Sequence, residues 1–150
     1  LANRYHLDNT LKQAISSAKR YNRPLSIIMV DLDYFKRVND LYGHHAGDQV
    51  LQSSAEILRE NCRISDTVGR WGGEEFLIIC PETTKDEAAL LAEKLRLIIP
   101  SVAMIYTHTQ TASFGVSTYH DSDTPETLVI RADEALYHAK HAGRNCVSVS

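Results

Sequence analysis

The chain has three cysteines in 150 residues, Cys62, Cys80 and Cys146, odd in number and widely spaced. They make neither a CxxC metal pair nor a disulfide framework, and they read as reduced structural thiols of a cytosolic domain. Long apolar runs are missing too: nothing approaches the roughly 18 uninterrupted apolar residues that a membrane helix needs. The first twenty residues alternate charged and apolar positions, which does not match a signal peptide. There is no basic excess, and a formal net charge of −3 argues against a domain that coats DNA or RNA. It leaves nucleotide substrates open, because an acidic site can take phosphates through a divalent cation. Internal repeats, low-complexity tracts and linkers are absent. What remains, 43% apolar and 23% charged residues, is ordinary for a globular protein and enough for one domain over residues 1–150 with a substantial core.

Leu11, Ala14, Ile15 and Ala18 share a helical face, so the spacing predicts a helix over about 6–21. Leu25 to Val30 is a continuous apolar run suited to a buried central strand, ended abruptly by Asp31-Leu32-Asp33. Leu51, Ala55, Leu58 and Cys62 mark a second helix ending near Asn61. Val68–Trp71 and Phe76–Cys80 flank Gly72-Gly73-Glu74-Glu75 and read as a β-hairpin. Thr84 and Glu87 form a capping box opening a helix with the stripe Ala88, Leu91, Leu95 and Ile98. Strands are expected over 102–107 and 111–119. Thr124-Pro125 starts a last helix whose stripe is Leu128, Ala132, Ala135 and Ala139, with Gly143 closing it. Asn145 to Val149 reads as a short final strand. The sum is a mixed sheet with helices packed on it.

Two carboxylate groups stand out. A buried strand that ends in acids is poor for stability, because an unpaired buried charge costs several kcal/mol. Asp33 has a plain explanation as N-cap of a helical turn over Tyr34–Asn39. Asp31 is better explained by a metal. The same turn would aim the N–H groups of Tyr34, Phe35 and Lys36 at an anion. In the hairpin, two glycines permit a left-handed backbone. The adjacent Glu74 and Glu75 repel one another and no turn requires them, though a solvated hairpin tip remains an alternative. If the hairpin lies beside the strand ending at Asp31, three acids converge into a cluster of the kind that binds Mg²⁺ for phosphoryl transfer.

Arg70-Trp-Gly-Gly-Glu-Glu-Phe76 resembles the signature of the GGDEF family of diguanylate cyclases in its GGEEF form. Asn3-Arg4, Pro24-Leu25, Asp31-Leu-Asp-Tyr-Phe-Lys36, Asn39-Asp-Leu-Tyr-Gly-His44, Gly47-Asp48, Ser113-Phe-Gly115, Ala132 to Lys140 and Gly143-Arg144-Asn145 follow in family order, so the resemblance covers essentially the whole chain. It implies an α+β fold like the palm of nucleotidyl cyclases and polymerases, with a mainly antiparallel five-stranded core sheet and surrounding helices.

The resemblance also implies roles. Asp31 and Glu74 resemble the metal ligands for Mg²⁺ or Mn²⁺, assisted by the Leu32 carbonyl. Glu74 resembles the general base for the attacking 3′-hydroxyl, with Glu75 a second candidate. The backbone of Tyr34, Phe35 and Lys36, with the side chains of Lys36, Lys140 and Arg144, would hold a triphosphate. For Lys140 and Arg144 a favourable helix C-terminus is the plainer alternative. Asn39 and Asp48 match the positions that read guanine, with helix capping as their alternative, and His44 lies near the base. Asp48 can accept from guanine N1–H and the exocyclic amine, a donor pair that adenine lacks. Strong rejection of adenine is expected if Asp48 is buried. Arg63-Ile-Ser-Asp66 resembles the family's inhibitory RxxD site for product, with Lys94 aligned to its second basic residue; an ordinary turn salt bridge is the alternative.

The reading that follows is a diguanylate cyclase joining two GTP into cyclic di-GMP with release of two pyrophosphates. It works as a homodimer, touches neither nucleic acid nor membrane, and is excised from a longer sensor protein. A GGDEF-like module that binds GTP or cyclic di-GMP without turnover is the rival. The intact Gly72–Phe76 signature speaks against it.

Overall fold

The computed structural model describes residues 1–101 and 109–150, so the strand expected over 102–107 lies outside the described residues. Strand β1 (Leu25–Leu32) is buried along all eight residues. Its side chains alternate between two cores: Ile28, Val30 and Leu32 enter one, and Leu25, Ile27 and Met29 the other. A strand apolar on both faces belongs in the middle of a sheet. With β2 (Thr67–Arg70), β3 (Glu75–Pro81), β4 (Ala112–Thr118) and β5 (Val147–Val149), the order is β2-β3-β1-β4-β5. Every pairing is antiparallel except β4 with β5. The α+β class, the mainly antiparallel five-stranded sheet and the surrounding helices are as the resemblance implies.

Helices α1 (Arg4–Tyr21) and α5 (Pro125–His141) cover one face, and α3 (His44–Glu60) and α4 (Lys85–Ile98) the other. Their ends follow from local chemistry. The Asn3 side chain caps α1 by accepting from the His6 N–H at 2.9 Å, and Thr84 and Thr124 open α4 and α5 with capping boxes. Leu128, Ala132, Ala135 and Ala139 are buried as the spacing predicts, and Gly143 follows α5 in the left-handed region at φ 113°. In α4 the stripe is rotated: Ala88, Ala92 and Leu95 are buried, while Leu91 and Ile98 lie at its half-buried margins.

One expected cap is wrong. Helix α2 (Phe35–Tyr42) has Tyr34 as its N-cap, at φ 54°, with no side-chain cap bond. Asp33 instead points into the fold, 3% exposed, where it accepts from the hydroxyls of Thr111 and Ser113, each at 2.7 Å, and from the Asn145 N–H at 3.0 Å. Three donors outweigh the single orphan N–H that a cap would satisfy.

Candidate active site

The register of β1 against β3 places Glu75 directly opposite Asp31. Like charges facing across an antiparallel pair destabilise a sheet, so the placement needs a reason beyond stability. Asp31 is 5% exposed, and Lys140 reaches from α5 to donate to its carboxylate. Burial holds the Asp31 carboxyl above the usual carboxylate range despite that ammonium, with Glu74 and Asp33 pushing the same way. Glu75 is raised as well, first by burial and then by Asp31. Glu74 is half-buried, and its carbonyl accepts from the Leu32 N–H at 3.2 Å. The register thus brings Glu75 opposite Asp31, but among the described residues Asp31, Glu74 and Glu75 do not gather into the three-acid metal cluster that the sequence suggested.

The glycines between these acids act differently from expectation. Neither Gly72 nor Gly73 takes a left-handed backbone. A Cβ at Gly73 would meet nothing within 4 Å, and one at Gly72 would meet Glu75 Oε2 only at 3.8 Å. They leave bare, exposed backbone in front of the acids, the surface that a close-lying ligand needs. Arg70 holds this bare loop: its Nε donates to the carbonyls of Gly72 at 3.1 Å and Gly73 at 2.9 Å. Spacing gave no signal for that role, because a side chain folding back onto its own turn leaves no periodic trace.

Beside the acids, α2 begins at Phe35, three residues past the end of β1, and the N–H groups that open a helix have no partner within it. Lys36 is exposed there. Two guanidiniums lie over the Tyr34 ring, Arg37 at 4.5 Å and Arg144 at 4.9 Å from its centroid. Arg144 itself has φ 64°. Asn39 sits inside α2 and Asp48 inside α3, so capping explains neither. The Asn39 carboxamide lies on Gly47, where a Cβ would come within 1.9 Å of its Oδ1. Asp48, one residue on, is exposed rather than buried, as is His44 at the start of α3. The strong rejection of adenine expected from a buried Asp48 loses its basis. Asp48, Leu51, Gln52 and Arg70 line a cleft of about 450 Å³ with the first three residues of the chain.

At the far end of α3, Arg63 and Asp66 form a turn. The guanidinium meets Asp66 Oδ1 at 3.3 Å and the Pro81 carbonyl at 3.0 Å, and it also donates to the Thr83 hydroxyl. Asp66 accepts from the Arg63 N–H at 2.9 Å. The pair is thus the turn salt bridge that the sequence left open, with Arg63 still 55% exposed. Lys94 and Arg59 lie close enough to Cys62 to act on it electrostatically. Burial pushes that thiol up to about 12 and raises Cys80 well above its ordinary value. Neither carries thiolate reactivity, and all three cysteines are free.

The sequence matches the family model described as diguanylate cyclase, GGDEF domain, over residues 1–146. The chain belongs to the GGDEF family. It is 45% identical over 148 residues to the bifunctional diguanylate cyclase/cyclic di-GMP phosphodiesterase MucR of Pseudomonas aeruginosa, covering 97% of this chain and 22% of MucR. Among solved structures it resembles the active GGEEF domain of a diguanylate cyclase from Vibrio cholerae, with TM-score 0.93 and 36% identity, covering 99% of this chain and 97% of that one. It also resembles the coiled coil and GGDEF domain of DgcB from Caulobacter crescentus in complex with c-di-GMP, with TM-score 0.95 and 29% identity over 100% of this chain and 82% of that one. The chain spans well under half the length of the curated relatives it matches. Among the described residues of this GGDEF domain, no helix is long and apolar enough to cross a membrane.

Proposed function

We propose that this GGDEF domain is a diguanylate cyclase that condenses two GTP into cyclic di-GMP and releases two pyrophosphates. The observation that carries the reading is the facing pair of buried Asp31 and half-buried Glu75 at a strand end beside the first turn of α2. Asn39 and Asp48 read guanine by accepting from and donating to its edge. The N–H groups of Tyr34, Phe35 and Lys36, with the Lys36 and Arg144 side chains, hold the triphosphate. Glu74, with Glu75 as alternate, takes the proton from the 3′-hydroxyl. That oxygen attacks the α-phosphate of the GTP held by a second copy and expels its pyrophosphate, and the reciprocal attack closes the ring. Catalysis is therefore a property of two facing domains. The three free thiols support a reducing, cytoplasmic setting.

Diguanylate cyclases require a metal, and the residues here fit one. Two carboxylates, Asp31 and Glu74, and the Leu32 carbonyl form an all-oxygen donor set of the kind Mg²⁺ and Mn²⁺ prefer. Among the described residues no three His, Cys, Asp or Glu side chains gather to hold an ion. Water and phosphate oxygens would complete the shell, as is usual for Mg²⁺. Such an ion supplies charge stabilisation at the transferring phosphoryl group and offsets the buried acids. Lys140, now on Asp31, would then be released toward the triphosphate.

Product is proposed to bind at Arg63, Asp66 and Lys94 and to inhibit. Arginine suits phosphate and guanine, whereas Lys94 offers a point charge without the planar fork. The test is incubation of the 150-residue chain, concentrated, with GTP and Mg²⁺, the product being identified by mass. Cyclic di-GMP is the expected product; tight GTP binding without product would make the domain a receptor.

A further inference from the structure

We propose that Arg4 is a positioning residue for the Gly72-Gly73-Glu74-Glu75 loop, acting through Trp71; the proposal rests on the cyclase reading above. The loop is held from within by Arg70 and by the Trp71 and Gly72 N–H groups, which donate to the Glu75 carbonyl at 2.9 and 3.3 Å. Arg4 grips it from outside, from a helix 67 positions earlier. Its guanidinium carbon lies 3.4 Å from the centroid of the Trp71 ring, and its Nη1 donates to the Trp71 carbonyl at 3.2 Å. One side chain thus fixes both the ring and the peptide of the residue that starts the loop. A planar guanidinium can stack and donate at once, which an ammonium cannot do equally well.

The base of this clamp is itself rigid. The Asn3 side chain caps the first turn of α1, and Ala2 bridges β2 by donating to the Val68 carbonyl and accepting from the Arg70 N–H, each at 3.1 Å. Trp71 also packs against the core that α1 and α5 share. Beyond Trp71, Gly72 and Gly73 have no side chains with which to hold themselves, and both are exposed. Glu74 and Glu75 follow directly. A reacting geometry is sensitive to displacements on the order of 1 Å, so releasing Trp71 should slow chemistry without touching the groups that bind GTP. Arg4 is 56% exposed, and its acidic neighbours, Asp8 at 3.8 Å and Asp133, are exposed as well, so replacing it leaves no buried charge behind.

The experiment compares Arg4→Ala, Arg4→Lys, Trp71→Leu and the Arg4→Ala/Trp71→Leu double variant with the wild-type 150-residue chain. We expect Arg4→Ala and Trp71→Leu each to lower kcat about tenfold with KM for GTP changed less than about twofold. The double variant should be no slower than the slower single, and Arg4→Lys should fall between Arg4→Ala and wild type. Trp71 is the sole tryptophan of the chain, so its emission reads the clamp directly. Arg4→Ala should shift that emission to the red and increase its quenching by acrylamide. Effects that multiply in the double variant, a change in KM alone, or unaltered Trp71 emission would each overturn the proposal. If wild type makes no product, the cyclase reading fails instead. The clamp is then judged by amide hydrogen exchange at Gly72 to Glu75, which Arg4→Ala must accelerate for it to stand.

Discussion

Gly47→Ala is the substitution that best separates base recognition from folding in this domain. A Cβ built at Gly47 lies 1.9 Å from Asn39 Oδ1, 2.9 Å from Asn39 Cγ and 3.2 Å from Phe35 Cζ. The first two contacts are impossible, but they involve the end of a half-buried side chain that can rotate toward solvent. The third asks Phe35 to yield by a few tenths of an ångström. Against this, alanine is better than glycine inside a helix by about 1 kcal/mol, and Gly47 has no positive φ to lose. The fold should therefore keep its stability or gain up to ~1 kcal/mol, about 2–4 °C in Tm for a chain of this size. Asn39, displaced, can no longer present its carboxamide to guanine. Losing one hydrogen bond and misplacing a neighbour of Asp48 costs about 1.4 kcal/mol, a tenfold weaker GTP affinity. Calorimetric titration with GTP and a thermal melt on the same sample test both halves. Wild-type GTP affinity together with an unchanged or raised Tm would refute the reasoning, because it would mean that the seat of Asn39 on Gly47 has no part in recognition.

Asp31→Asn should abolish cyclic di-GMP formation, measured by mass, while the melt stays at or above wild type. The aspartate is held above its normal range chiefly by burial, so its ionised form costs stability that the amide does not. Glu75→Gln should flatten the pH dependence of unfolding. With its folded pKa raised, Glu75 has no effect below the unfolded value near 4.3 and destabilises increasingly as pH rises through the folded value. Denaturant titrations between roughly pH 4 and pH 8 check this, and parallel wild-type and variant curves would contradict it. Arg63→Ala should weaken cyclic di-GMP binding at least tenfold by calorimetry and lower Tm by a few degrees, because the side chain also ties the turn to Pro81 and Thr83. Lys94→Arg should tighten binding by restoring a fork. Equal product affinity in wild type and Arg63→Ala would leave Arg63 as a turn salt bridge alone.

The elements were legible where the physics is local. Thr84 with Glu87, Thr124 before Pro125, and the double-faced apolar run Leu25–Val30 each decide their own segment, and the structure agrees at all three. The pairing of Asp31 with Glu75 was legible as well, since a run that must be central and a hairpin beside it bring the two together, though the three-acid cluster did not form among the described residues. What failed were roles set by partners far along the chain. Asp33 has the spacing of a cap, but its donors sit 78, 80 and 112 positions later. Gly72 and Gly73 suggested a strained turn and instead give open backbone. The seat of Asn39 on Gly47 depends on how α2 and α3 pack, and no periodicity encodes it. The guanidinium of Arg4 over Trp71 is equally silent in sequence, because stacking leaves no pattern until the helix and the hairpin have met.

The bonds around Asp33 also set the order in which this protein becomes competent. Its carboxylate accepts from the hydroxyls of Thr111 and Ser113 and from the backbone N–H of Asn145, while its neighbour Asp31 accepts from Lys140, 109 positions away. Closing loops of that length carries an entropic cost that grows as about (3/2)RT ln n and is met only when β4, α5 and the turn after it have docked. Until they dock, two uncompensated acids at the end of a hydrophobic strand hold the Asp31-to-Lys36 segment back from its final packing. Lys140 and Asn145 thus complete the surroundings of both acids, and the Asp31-to-Lys36 segment reaches its final packing only once β4, α5 and the turn after α5 are in place.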